Sequence, residues 1–253
     1  MNDVVKVVKR SGKVEPLDIN KIHVMVEEAC EGLAGVSVSQ VEMNADLQFT
    51  DGIATSDIQE ILVRSASDLI SLDHPNYQYV AARLLLYGLR KDVFGKFDYA
   101  SLYDLVVKNV KQGVYGAELL EIYSEEDWKQ LDVYMNHSRD LDFTFAGMRQ
   151  VVDKYLVQDR SSGDVYETPQ YMYIMIAVTL FQNYTENRLD YIKRYYDAIS
   201  KHKINIPTPI MAGVRTPLRQ YASCVLVDID DTLDSIFSSD MAIGKYVAQR
   251  AGI

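Results

Sequence analysis

Near the carboxyl end, Cys224-Val-Leu-Val-Asp-Ile229 is an apolar, β-branched run that reads as a buried strand, and it constrains the fold more than any other feature of this 253-residue chain. Leu233, Ile236, Met241 and Ile243 behind it follow helical spacing, so the pair is the start of a βα pattern. Parallel strands are buried on both faces and need neighbours, and only a short tail follows. This end of the chain therefore requires more polypeptide or another subunit.

The amino-terminal part reads as a self-contained module. Val4 to Lys9 is a short strand, Ser11-Gly12-Lys13 a hairpin turn, and the chain returns through Val14. Asp18 and Asn20 can cap a helix with apolar positions at Ile22, Val26, Ala29 and Leu33. Ser56 with Gln59 has capping-box spacing ahead of Ile58, Ile61, Leu62 and Leu69. Pro75 opens a third helix that carries Tyr79, Val80, Arg83, Leu84 and Tyr87 and ends near Gly95.

From Phe97 to Lys203 the pattern is mainly helical, with a further cap at Ser124-Glu-Glu-Asp127. Tyr155 to Glu167, around Ser161-Ser-Gly-Asp, reads as an inserted hairpin, and the 18 tyrosines of the chain read as ordinary packing residues. No internal repeat or low-complexity tract is evident.

A net charge of −10 argues against non-specific binding to nucleic acid or an anionic membrane, which relies on a basic face. A few local cations still suffice for a triphosphate. The apolar run Tyr171 to Phe181 is about half of the roughly 20 residues that span a bilayer. The two cysteines, Cys30 and Cys224, have no zinc-ligand spacing and no secretory framework, and the amino terminus has no signal organisation. A soluble, reducing, cytoplasmic setting is the expectation. His23, His74, His137 and His202 are scattered, so no metal site is expected.

Three constellations carry chemistry. At the amino end Lys9, Arg10, Glu15 to Lys21, Thr55 and Lys91 can converge, and paired cations with a free helix N-terminus hold phosphates. Such residues on a small module are also commonly just solvated surface. The second is Thr208, stiffened between Pro207 and Pro209, with Ser223 next to Cys224. A cysteine at a strand start can instead be a small buried hydrophobe, as Cys30 reads on the apolar side of the first helix. The third, Asp228-Ile-Asp-Asp-Thr232, contains D-x-D-x-T, the nucleophile loop of haloacid-dehalogenase-type, Mg-dependent phosphatases. The tail after Thr232 leaves no room for the rest of such an enzyme.

Two groups of segments carry a resemblance that covers essentially the whole chain. Val7-Val-Lys-Arg-Ser-Gly-Lys-Val-Glu15, Asp18-Ile-Asn-Lys-Ile-His23, Asp51-Gly-Ile-Ala-Thr-Ser-Asp-Ile58 and Tyr77-Gln-Tyr-Val-Ala-Ala-Arg-Leu84 look like the ATP-cone domain. Asn205-Ile-Pro-Thr-Pro-Ile-Met-Ala-Gly-Val-Arg-Thr-Pro-Leu-Arg-Gln-Tyr-Ala-Ser-Cys-Val-Leu-Val-Asp228 closely resembles the segment of class I ribonucleotide reductase large subunits where the catalytic barrel begins.

The resemblance implies a mainly α fold with α/β elements: an ATP cone over 1–95, a helical domain over 96–220, and the first strand and helix of an incomplete α/β barrel over 221–253. It implies ATP or dATP bound by Lys9, Arg10, Glu15, Pro16, Leu17, Asp18, Ile19, Asn20, Lys21, Thr55 and Lys91. Gln59 and Gly88 depart from that pattern, standing where close relatives carry histidines, which implies a weakened dATP switch. Thr208 and Ser223 would contact the ribonucleotide, and Cys224 would be half of the redox dithiol, its partner lying beyond the chain end. Asp231, Thr232 and Leu233 would belong to the specificity site for deoxynucleoside triphosphate effectors.

As a family member the chain would be one part of a ribonucleoside-diphosphate reductase, inactive alone. Its expected partners are the remainder of the large subunit, a small subunit that holds the radical metal centre, and thioredoxin or glutaredoxin as reductant. A split large subunit and a truncated one are both open. The competing expectation is a free-standing nucleotide-binding regulator without catalysis, which would have no use for Cys224.

Overall fold

The computed structural model describes residues 5–46, 49–219, 221–249 and 251–253. Val4, at the start of the expected first strand, and Gln220, within the segment before Cys224, lie outside the described residues. In chain order the helices are α1 (Ile19–Cys30), α2 (Val38–Asp46), α3 (Thr55–Asp68), α4 (Tyr77–Phe94), α5 (Leu102–Lys111) and α6 (Leu119–Ile122). They continue as α7 (Glu125–Tyr134), α8 (Phe145–Gln150), α9 (Pro169–Leu180), α10 (Arg188–Ser200), α11 (Thr208–Gly213) and α12 (Leu233–Ala248). The chain divides into two compact units, residues 1–98 with 138–152, and residues 99–137 with 153–253.

In the first unit, β1 (Lys6–Val8) pairs antiparallel with β2 (Val14–Pro16) and parallel with β3 (Ile53–Ala54). Gly12, at φ +81°, takes the left-handed turn position that a side chain would strain, and its N–H donates to the Lys9 carbonyl at 2.8 Å. The Asp18 side chain accepts from the Asn20 N–H at 3.1 Å, which caps α1 as the sequence suggests. Ile22, Val26 and Ala29 form its buried stripe.

α4 is buried nearly all round, from Tyr77 through Val93, because α1, α3 and α8 pack against it. Its expected stop is present: Gly95 is left-handed at φ +69°. Arg83, halfway along, donates to the Ala29 and Glu31 carbonyls at 3.2 and 2.7 Å and so satisfies the carboxyl end of α1.

Three expectations need correction here. α2 was not foreseen, because its sequence is polar and, among its described side chains, only Val41 and Ala45 are buried. Pro75 precedes α4 without opening it; the helix starts at Tyr77. The Ser56–Gln59 capping box does not form, since α3 starts at Thr55 with Ala54 at its cap and Gln59 turns inward.

In the second unit α9 is buried from Pro169 to Thr179 and packs against α10 and α11. Ser124 and Asp127 form the expected capping box on α7. The 155–167 hairpin closes with a Gln158–Val165 bridge and Gly163 in its turn. Its end is anchored by a fully buried cluster. Arg215 forms a bidentate ion pair with Glu167, while Tyr115 donates to the same carboxylate at 2.5 Å and the Val157 N–H does so at 2.8 Å. Burial alone would lower the Arg215 pKa, but the Glu167 charge holds it above the ordinary value. Arg215 also donates to the Met211 carbonyl, which fixes the end of α11.

The expected strand at Cys224–Ile229 is not formed. Without ladder partners among the described residues an extended segment gains nothing from pairing, and the stretch lies open with Leu226 at 93% exposure. The expected helix behind it is present as α12, but Thr232 caps it, not Asp231; its side chain accepts from the Ser235 N–H at 3.2 Å. No helix among the described residues is long and apolar enough to cross a membrane.

Candidate functional site

The hairpin, the amino ends of α1 and α3, and the last turn of α4 enclose a cavity of about 490 Å³ in the first unit. That volume lies within the roughly 300–1,000 Å³ typical of small-ligand sites. The turn after β1 brings Lys9, β2 brings Glu15 and Pro16, and the connection to α1 brings Leu17 and Asp18. α1 adds Asn20 and Lys21, α3 adds Thr55 at its first position, and α4 adds Lys91. One wall is apolar, from Val7, Ile22, Val24, Met25, Ile58 and Phe97. Phe97 is held edge-on to Tyr87 at 5.2 Å, with the Arg90 guanidinium over both rings.

Charges in the cavity are mixed. Lys9 lies 3.3 Å and Lys13 3.6 Å from Glu15, and Lys21 lies 3.7 Å from Asp18. The hydrogen bond from Lys9 holds the Glu15 carboxyl below its usual range. Lys91 is different: its ammonium sits 4.0 Å from Met25 Sδ, and burial, then the charges of Arg10 and Lys9, pull its pKa down. An anion reaching Lys91 would relieve that desolvation and repulsion. The apolar wall beside these cations suits a ligand with a flat ring at one end and negative charge at the other.

Two residues expected at this site stand apart from the cavity. Arg10 turns to Asp92 on α4, with Nε 2.7 Å from the carboxylate. Ile19 is 66% exposed and lines a shallow outer depression with Glu15 to Lys21. Among the lining residues sequence reasoning did not gather, Met25 and Glu28 follow Lys21 at helical spacing, a signal that was present in the sequence. Val24 and Ile58 lie three residues after Lys21 and Thr55 and carry the same signal; Phe97, beyond the end of α4, had none. Gln59, read in the sequence as a capping-box partner and as a departure from the resemblance, lines the cavity too.

Residues 5–92 match the ATP cone domain, and residues 141–219 match the all-alpha domain of ribonucleotide reductase. The whole chain aligns with the ribonucleoside-diphosphate reductase 1 subunit alpha of Escherichia coli at 52% identity. The alpha subunits of Haemophilus influenzae and of Enterobacteria phage T4 match over 100% and 99% of the chain at 51% and 40% identity. The chain carries an ATP cone and a ribonucleotide reductase all-alpha domain, and it matches the amino-terminal part of the large subunits of that enzyme. It spans about a third of the length of these curated relatives.

The family's barrel-side candidates lie in the second unit. Thr208 is the first residue of α11, behind Pro207. Ser223 and Cys224 are exposed on the open extended stretch, where the Val225 N–H donates to the Gly252 carbonyl at 2.9 Å. Cys224 is thus no buried hydrophobe. Cys30, by contrast, is half-buried, and burial pushes its thiol up to about 11, so it stays protonated and unreactive near neutral pH. Asp231, Thr232 and Leu233 are exposed at the start of α12, Leu233 at 71%. Asp228 and Asp230 of the D-x-D-x-T run are exposed as well, and no group of three potential ligands that could hold a metal occurs among the described residues. His23 lies outside the cavity and meets Glu42 at 2.8 Å, which ties α1 to α2.

Proposed function

We propose that this chain supplies the regulatory cone and the opening of the catalytic domain of a ribonucleoside-diphosphate reductase. The observation that carries the reading is the cavity of the first unit, where Lys9, Lys21 and Lys91 meet an apolar wall beside the capped start of α1, within a segment that matches the ATP cone. ATP or dATP binds there as effector. The base takes the apolar wall and the phosphates take the lysines and the Thr55 end of α3.

Cys224 serves as one half of a dithiol that reduces the ribose 2′ position, with Thr208 and Ser223 holding the ribonucleoside diphosphate. Asp231, Thr232 and Leu233 contribute to a second, deoxynucleoside triphosphate site. The other thiol, the radical-bearing cysteine and the remaining strands come from the rest of the large subunit. The radical itself comes from a small subunit with its metal centre, and thioredoxin or glutaredoxin restores the dithiol. The setting is the cytoplasm.

The test combines this chain with the remaining large-subunit polypeptide and the small subunit, and follows reduction of a ribonucleoside diphosphate with wild type and Cys224→Ser. Turnover that needs both the chain and Cys224 is the expected result. Turnover that survives the substitution would make the chain a regulator without a chemical role.

A further inference from the structure

Gln59 is only 5% exposed and still lines the cavity. Its Nε2 donates to the Leu84 carbonyl of α4 at 2.7 Å. In a continuous helix that carbonyl also accepts from the N–H four residues on, which belongs to Gly88. The Gln59 stem crosses α4 at this glycine: a Cβ on Gly88 would lie 2.9 Å from Gln59 Cγ and 3.6 Å from Cδ. Glycine is the least favourable ordinary residue inside a helix, yet here it is what admits the Gln59 side chain. Lys91 lies three residues beyond Gly88 and therefore on the same face of α4.

We propose that Gln59 and Gly88 form one positioning unit that fixes the register of α4 on α3 and so places Lys91 in the cavity. The proposal rests on the effector reading and names how the site is held. The two residues are a matched pair: the glycine makes room and the glutamine fills it.

A double-mutant cycle on this chain tests it, with unfolding midpoint and ATP affinity by titration calorimetry measured for wild type, Gly88→Ala, Gln59→Ala and the double variant. Gly88→Ala should lower the midpoint by a few degrees although alanine favours helix, and should weaken ATP roughly tenfold. In the Gln59→Ala background the same change should raise the midpoint and leave the affinity within about twofold. If Gly88→Ala does not fold, recovery of folding and binding in the double variant is the expected result. A higher midpoint in both backgrounds would show that the two residues do not collide and would overturn the pair. Coupling in the midpoint with none in affinity would reduce it to packing and overturn the positioning role. No ATP binding by wild type would remove the effector reading itself, while the midpoint cycle would still report whether the pair collides.

Discussion

Lys91 is the residue where the candidate site is most sensitive. Burial and the charges of Arg10 and Lys9 disfavour its ammonium, so a bound triphosphate returns its pKa toward the ordinary value. Lys91→Ala should weaken ATP binding by about 1.5–3 kcal/mol, the scale of a hydrogen bond to a charged group. The free chain's Lys91 loses its proton earlier than an ordinary lysine, so affinity should decline as alkaline pH passes its lowered pKa. Proton uptake on binding should then show as a buffer-dependent calorimetric enthalpy. At Glu167 the issue is stability. Arg215 and Glu167 are both fully buried, and neutralising one leaves the other charge unpaired. Glu167→Gln should cost about 3–5 kcal/mol, read from the urea midpoint of unfolding.

At the scale of elements, two segments share a capping spacing and meet different fates. Ser124 Oγ accepts from the Asp127 N–H at 3.2 Å, and the Asp127 carboxylate accepts from the Ser124 N–H at 2.9 Å. In α3 the helix begins two residues earlier than the box requires, and Gln59 bonds to α4. Ser124→Ala should therefore destabilise by about 1 kcal/mol, while Ser56→Ala should stay within about 0.5 kcal/mol, both by thermal unfolding. Local signals identify α7 and α1 because their caps depend on neighbours in sequence. They fail for Gln59 because its partner is 25 residues away. Likewise Cys224–Ile229 has strand composition but no ladder to join among the described residues, since pairing is not a local property.

At the scale of the molecule, the carboxyl-terminal segment presents Leu226, Leu233, Phe237 and Met241 to solvent at 60–93% exposure. α12 buries only Ser239, which is unusual for a helix this apolar. Under the proposed function the remaining large-subunit polypeptide covers this face and pairs with residues 224–229. Mixing the two should suppress binding of an environment-sensitive apolar dye and slow amide exchange across 224–229. An unchanged dye signal and unchanged exchange would count against that partner.

The sequence by itself determined the elements whose signals are local: the Gly12 hairpin, the Asp18 and Ser124 caps, the Gly95 stop and the apolar stripe of α1. Each depends on a turn geometry, a capping hydrogen bond or a helical period confined to a few residues. It also located Lys9, Glu15, Lys21, Thr55 and Lys91 as a group, through family resemblance together with the chemistry of phosphate binding. Tertiary structure alone decided which of them share a cavity, that Arg10 turns to Asp92, and that Gln59 lies against Gly88. Those outcomes depend on how α1, α3 and α4 pack, and packing is set by contacts between residues far apart in the chain.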